Sequence, residues 1–181
     1  MCSIDLRKAF DKVNHCGLYI KLMKRFVPTA LLEVIENWLS GCYAFVKRYD
    51  SSSFVFSISF GVRQRSVLSP HLFAVYIDDV GKCFYLNKNS FILLYADDIL
   101  LITPSVTALQ KLLLVCETEL NYFDMTINSK KSSCIRVGPR HDKTCANIVT
   151  YDGSHLAWVD ELRYLGIFIV RARLQMFTGT R

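Results

Sequence analysis

The sequence has no Cys-x-x-Cys pair, although it carries seven cysteines: Cys2, Cys16, Cys42, Cys83, Cys116, Cys134 and Cys145. Their odd number and wide separation offer no grip for zinc, and they read as reduced, mostly buried thiols of an intracellular protein. The four histidines (His15, His71, His141 and His155) stand apart from one another and from any cysteine at ligand spacing, so they read as ordinary surface or satisfied histidines. Long apolar runs are also missing. The apolar runs at 91–95 and 99–102 are separated by two aspartates and are too short to span a bilayer. Near the start, Asp5, Arg7 and Lys8 interrupt what a signal peptide would need as an apolar core. The expectation is a soluble, intracellular chain with no membrane partner, its compartment (nucleus or cytoplasm) unassigned. Repeats and low-complexity linkers are absent.

What is present is enough apolar material for one sizeable core: 51% of 181 residues are hydrophobic, which excludes disorder and predicts a single domain or a large piece of one. Lysine and arginine number 22 against 16 acidic residues, a net charge of +6 that suits an anionic partner such as nucleic acid without requiring one. Residues 1–5 read as the end of a strand, and apolar spacing (Val13, Leu18, Leu22, Phe26) predicts a helix over 9–26. Pro28 opens a second helix that stops at Gly41. Aromatic and β-branched residues at 43–49 and 53–60 predict a hairpin around Asp50-Ser51-Ser52, and Pro70 opens a helix over 71–84.

Residues 90–103 form two short apolar runs flanking Ala96-Asp97-Asp98, the pattern of a tight hairpin with acid at its tip. Ser105 caps a helix carrying Leu109, Leu112, Leu113, Cys116, Leu120 and Phe123 on one face. Strands follow at 132–137, up to Tyr151, at 155–159 and at 162–170, with a turn at Asp152-Gly153. The class is α+β, an antiparallel-rich sheet backed by helices.

Two adjacent carboxylates between apolar strands repel each other and are costly unless a cation or several donors neutralise them. A divalent metal does this economically, and magnesium takes few carboxylates plus substrate phosphates, the arrangement of nucleotidyl transfer. A solvated Asp-Asp turn fits the same spacing. Asp5, at the end of its own strand and followed by Phe10, offers a third carboxylate. A second Tyr-x-Asp-Asp, Tyr76-Ile77-Asp78-Asp79, falls in a predicted helix, where neighbouring acids diverge by about 100°. Asp78 and Asp79 therefore read as structural or solvated.

Taken in order, these segments resemble the reverse transcriptases of non-long-terminal-repeat (LINE-type) retrotransposons over nearly the whole chain. Asp5-Leu6-Arg7-Lys8-Ala9-Phe10-Asp11-Lys12-Val13-Asn14-His15 resembles motif A, Gly61-Val62-Arg63-Gln64-Arg65-Ser66-Val67-Leu68-Ser69-Pro70 motif B, and Tyr95-Ala96-Asp97-Asp98 motif C. Ile127-Asn128-Ser129-Lys130-Lys131-Ser132 resembles motif D, and Leu162-Arg163-Tyr164-Leu165-Gly166 the motif E segment after it. The resemblance implies a polymerase palm over 1–170, a basic tail over 171–181, and RNA-directed DNA polymerase activity by two-metal transfer. Asp5, Asp97 and Asp98 would be the catalytic, metal-holding residues, with Mg2+ as the cofactor and Mn2+ as the alternative ion. Phe10, Gln64 and Lys131 would contact the incoming nucleotide, Phe10 by excluding a 2′-hydroxyl. Phe10 as a plain core residue, and Lys130 and Lys131 as a solvated charge run, stay open beside those roles. Tyr95, Arg136 and Arg140 would touch nucleic acid, and the implied partners are an RNA template, a DNA primer and deoxynucleoside triphosphates.

Two departures stand out. The family has glycine directly after the motif B glutamine, where this chain carries Arg65, which predicts a reshaped loop or a displaced nucleotide. The chain also starts within motif A and ends shortly after motif E, so fingers and thumb are expected to be largely missing, supplied by a longer product. A catalytically inactive retroelement remnant that keeps the palm fold, and at most nucleic-acid binding, is the alternative expectation.

Overall fold

The computed structural model describes residues 1–82, 89–140 and 142–171. In chain order the elements are β1 (Cys2–Asp5), a 3-10 turn (Ala9–Lys12), α1 (His15–Lys24), α2 (Thr29–Ser40), β2 (Tyr43–Ala44), β3 (Lys47–Arg48), β4 (Ser51–Ser52), β5 (Phe56–Ser57), α3 (Ser69–Tyr76) and α4 (Asp78–Lys82). There follow β6 (Phe91–Tyr95), β7 (Asp98–Ile102), α5 (Val106–Tyr122), β8 (Ser133–Cys134), β9 (Ile148–Val149), β10 (His155–Trp158), β11 (Glu161–Tyr164) and β12 (Ile167–Val170). Contacts gather them into two compact units: Met1–Arg7 with the described residues from Asp79 onward, and Lys8–Asp78.

The first unit is a six-stranded sheet in the order β6-β7-β1-β8-β10-β9, antiparallel except where β10 runs parallel to β8. Side chains alternate across a strand, and one face takes Cys2, Ile4, Ile99, Leu101 and Cys134, all fully buried. The amphipathic helix α5 packs on β7 and β9, burying Leu109, Leu112, Leu113, Cys116 and Leu120. Its start is fixed as expected, with the Ser105 hydroxyl accepting from the Ala108 N–H at 3.1 Å. The same helix seals the sheet edge. Gln110 exchanges two hydrogen bonds with the backbone of Val149, and the Glu117 carboxylate accepts from the Tyr151 N–H, which blunts β9 as a template for further pairing. On the opposite face Leu162 and Tyr164 of the β11–β12 hairpin bury against Leu100 and Ile135.

In the second unit α1 packs on α2 and α3. Gly17 is needed at the closest approach: a Cβ there would lie 3.3 Å from the Tyr76 ring. Asp78 pairs with Lys21 of α1 and with Arg25 just past its end, so the first Tyr-x-Asp-Asp copy spends its first acid on an ion pair.

Several expected elements change shape. The helix predicted over 9–26 is interrupted, because Val13 and Asn14 are extended and the Asn14 side chain caps α1 by accepting from the Gly17 N–H. Phe26 lies beyond its end at φ 57° and is 92% exposed, so the apolar spacing overran the helix. The helix predicted over 71–84 breaks at Ile77, with Cys83 and Phe84 outside the described residues, as are His141 and the tail from 172. The hairpin at 43–60 survives as two short pairings, β2 with β5 and β3 with β4, turning at Tyr49 and Asp50. The strand at 132–137 shortens to two residues. The strand predicted over 162–170 is a hairpin in which Tyr164 faces Ile167 across Leu165 and Gly166, both at positive φ as a tight turn demands.

Gly61 joins the start of motif B to motif A within the second unit. It sits at φ 85°, its N–H donates to the Val13 carbonyl at 2.7 Å, and an added Cβ would come within 2.9 Å of the Asp11 Cα and the Phe10 carbonyl oxygen. Both obstacles are backbone. Gly61→Ala is therefore expected to cost roughly 2 kcal/mol or more, combining left-handed strain with overlap, read as a lower urea midpoint at unchanged slope.

Candidate active site

β1 carries Asp5 and β7 carries Asp98, and the antiparallel register makes them direct partners. Tyr95 faces Asp98 across β6 and β7, which leaves Ala96 and Asp97 as a two-residue turn with Ala96 at φ 52°. The hairpin read from the sequence thus exists, with Asp97 at its tip and Asp98 one residue into the strand. Like charges opposite each other on paired strands destabilise the pair. Accordingly, burial pushes the Asp98 carboxyl above its ordinary value, and the charges of Asp97 and Asp5 push it further.

Asp5 is gripped by the chain that follows α5. Its N–H donates to the Ser132 hydroxyl at 3.0 Å, its carbonyl accepts from the Asn128 N–H at 2.8 Å, and one carboxylate oxygen accepts from the Asn128 side-chain amide at 3.1 Å. Lys130 and Lys131 are exposed on the turn between those two residues. Asn128 and Ser132 were not among the expected site residues. Their bonds reach Asp5 from more than a hundred residues away, and the only sequence signal was their place in the motif D segment.

The other expected residues fall elsewhere. Arg136 and Arg140 lie past the opposite end of β1: Cys134 pairs with Cys2 and Ile135 bonds Met1, so the chain beyond Ile135 runs away from Asp5. There they line a cavity of about 480 Å³ with Met1, Ile102 and Trp158. Phe10 and Gln64 belong to the second unit. Phe10 is half-buried, its ring 5.0 Å from that of Phe73, and the Gln64 amide donates to Asp11 at 3.1 Å. Next to Gln64, Arg65 is at φ 64°, the left-handed region where a side chain is strained and glycine is not.

Among the described residues no three histidine, cysteine or acidic side chains are already gathered closely enough to hold a metal ion. The donor set nevertheless suits a hard divalent cation: only carboxylate oxygens, on facing strands and a rigid turn, repelling one another in its absence.

Two outcomes follow. Because the folded state raises the Asp98 pKa, it binds that proton more tightly than the unfolded chain does. The contribution is therefore most favourable at low pH and is lost as pH rises from the ordinary carboxylate value through the raised one. Asp98→Asn is expected to melt higher than the native chain at pH 7, with the gap closing towards pH 3; a lower melting point at pH 7 would contradict the repulsion. Arg65→Gly is expected to stabilise by roughly 0.5–1 kcal/mol in urea unfolding, the relief of left-handed strain less the entropy glycine adds to the unfolded chain.

The reverse transcriptase (RNA-dependent DNA polymerase) family model matches residues 1–169. The chain is 30% identical to the RNA-directed DNA polymerase from mobile element jockey of Drosophila funebris, over 94% of the chain and 19% of that protein. It is 26% identical to the Pol polyprotein of the type-2 retrotransposable element R2DM of Drosophila melanogaster, over 92% and 17%. It thus spans about a fifth of the length of such relatives. Among solved structures it superposes on telomerase from Candida albicans in complex with a fragment of telomeric RNA (TM-score 0.64, 14% identity, 93% of this chain, 29% of that one). It also superposes on apo telomerase from Candida tropicalis (TM-score 0.63, 16% identity, 94% and 31%). At such identities the superposition speaks for the fold, whereas the family match covers the whole sheet and every motif: the chain belongs to the reverse transcriptase family, on the side of the non-long-terminal-repeat retrotransposons.

Proposed function

We propose that this chain is the catalytic palm of an RNA-directed DNA polymerase, extending a DNA primer on an RNA template with deoxynucleoside triphosphates. The observation that carries the reading is the pairing of Asp5 with Asp98 beside the Asp97 turn. Asp5, Asp97 and Asp98 would hold divalent cations, Mg2+ in this reading, which supply charge neutralisation for the attacking and leaving oxygens of nucleotidyl transfer. The protein's share is to keep the carboxylates in place before substrate arrives: the sheet fixes Asp5 and Asp98, and a two-residue turn fixes Asp97.

The remaining roles follow the family. Phe10, supported from beneath by Phe73, would set its ring against the sugar of the incoming nucleotide and reject a 2′-hydroxyl. Gln64, held by Asp11, would line the nucleotide. Lys131 or Lys130 would place a cation by the phosphates from a turn anchored next to Asp5. Tyr95, exposed and opposite Asp98, would meet the primer or template strand. Arg136 and Arg140 would contact phosphate backbone at the far end of the sheet, through sequence-independent attraction that weakens with salt.

Primer extension on an RNA template with deoxynucleotides and Mg2+ tests the reading. Extension by the native chain is expected to fall by at least about 1,000-fold in Asp97→Asn, the scale of removing a group that acts on developing charge. Extension that survives Asp97→Asn would sink the assignment. Ribonucleotide incorporation that stays negligible in Phe10→Ala would remove Phe10 from sugar selection.

A further inference from the structure

Asp5 lies in the middle of the sheet, yet its carboxylate is not oriented by the sheet. Strand pairing fixes its Cα and Cβ; the remaining side-chain rotation is free unless something holds an oxygen. Asn128 does so. A carboxylate only accepts, so the group facing its Oδ2 at 3.1 Å is the NH2 end of the amide, which leaves Oδ1 outside that bond.

The same residue uses its backbone as fully as its side chain. Its N–H donates to the Asp5 carbonyl at 2.8 Å, and its carbonyl accepts from the N–H groups of Lys131 at 3.0 Å and Ser132 at 2.9 Å. Ser132, buried, returns the chain to β1 by accepting from the Asp5 N–H. On one side Ile127 bridges Leu6, and on the other Ser133 pairs with Ser3. Residues 129–131 are therefore a short excursion between two stretches that both pair with β1. Lys130 and Lys131 stand exposed on it, and Asn128 is the post on which both the excursion and the carboxylate hang.

Resting on the carboxylate reading above, we propose that Asn128 is a positioning residue of the reaction centre: its side-chain amide aims the Asp5 carboxylate, and its carbonyl ties the lysine turn to that aim. Groups that orient a metal-holding carboxylate matter nearly as much as the carboxylate itself, and their loss costs about 10- to 100-fold in metal affinity. A purely structural asparagine would affect unfolding and leave affinity alone.

The test uses Mn2+ alone, without nucleotide or nucleic acid, and reads the paramagnetic broadening of backbone amide signals at Asp5 and Asp97 in the native chain, in Asn128→Ala and in Asp97→Asn. The expected result is broadening in the native chain, its loss in Asp97→Asn, and a midpoint shifted about 10-fold or more in Asn128→Ala while thermal unfolding changes little. Native affinity in Asn128→Ala, with Asp97→Asn still silent, overturns the positioning role and leaves the carboxylate reading standing. No broadening at either residue in the native chain overturns the carboxylate reading, and this inference with it. Should Asn128→Ala not fold, the unsubstituted chain decides. Its Asn128 side-chain amide signals are expected to shift with Mg2+ in step with Asp97, and signals that stay still while Asp97 moves overturn the proposal.

Discussion

Four residues, Cys2 to Asp5, are hydrogen-bonded along both edges, and the candidate site depends on that double pairing. β7 on one side sets Asp98 opposite Asp5. β8 and the segment before it, on the other, set Asn128 and Ser132 against the Asp5 backbone. A slip of one residue in either ladder would turn every side chain of β1 to the wrong face, sending Asp5 into the apolar layer under α5. That layer prevents the slip, because Cys2 and Ile4 are fully buried in it and no polar neighbour could replace them cheaply. The apolar face holds the register, and the register sets Asp98 opposite Asp5.

The acids work against the fold that holds them. Burial, then the charges of Asp97 and Asp5, raise the Asp98 carboxyl, so ionising it is harder in the folded chain than in the unfolded one. Lys8 in motif A, Arg65 in motif B and Ala96 in motif C take positive φ without being glycine, as do Phe26, Tyr49, Asn89, Asp124 and Leu165 elsewhere in the chain. Non-glycine residues persist there only where surrounding structure over-determines them. For Ala96 the determinant is visible, since a two-residue turn between Tyr95 and Asp98 requires it. For Arg65 the family's glycine would take the same left-handed conformation without strain.

Much of this was legible in the sequence where local chemistry decides structure. Ser105 capping α5, Pro28 and Pro70 at helix starts, and Ala96-Asp97 as a turn each depend on residues a few positions apart. The two Tyr-x-Asp-Asp copies were separable for the same reason: one belongs to alternating strands, and the other straddles a helix break where Asp78 is consumed by Lys21 and Arg25. Errors arose where periodicity carried through a break. Val13 is as buried as a helix-face residue but is extended, and residues 162–170 are apolar enough for one strand while Leu165-Gly166 folds them into two.

The site residues divide along the same line. Asp5, Asp97 and Asp98 stood out as candidates because repulsion among carboxylates is a property of residue type, and strand pairing sets Asp5 opposite Asp98. Asn128 did not, because an asparagine in a turn has many local uses, among them capping and Asx turns, and nothing in the chain around it reveals a carboxylate 123 residues away. The spacing Asn128-x-x-Lys131 acquires a physical sense only in the folded chain. An asparagine whose side-chain amide donates to the Asp5 carboxylate also accepts, through its carbonyl, from the N–H of the third residue on, which closes the turn that carries Lys130 and Lys131. Motif A and motif D are thus joined by hydrogen bonds on one edge of β1, while β7 on the other edge aligns Asp98 with Asp5.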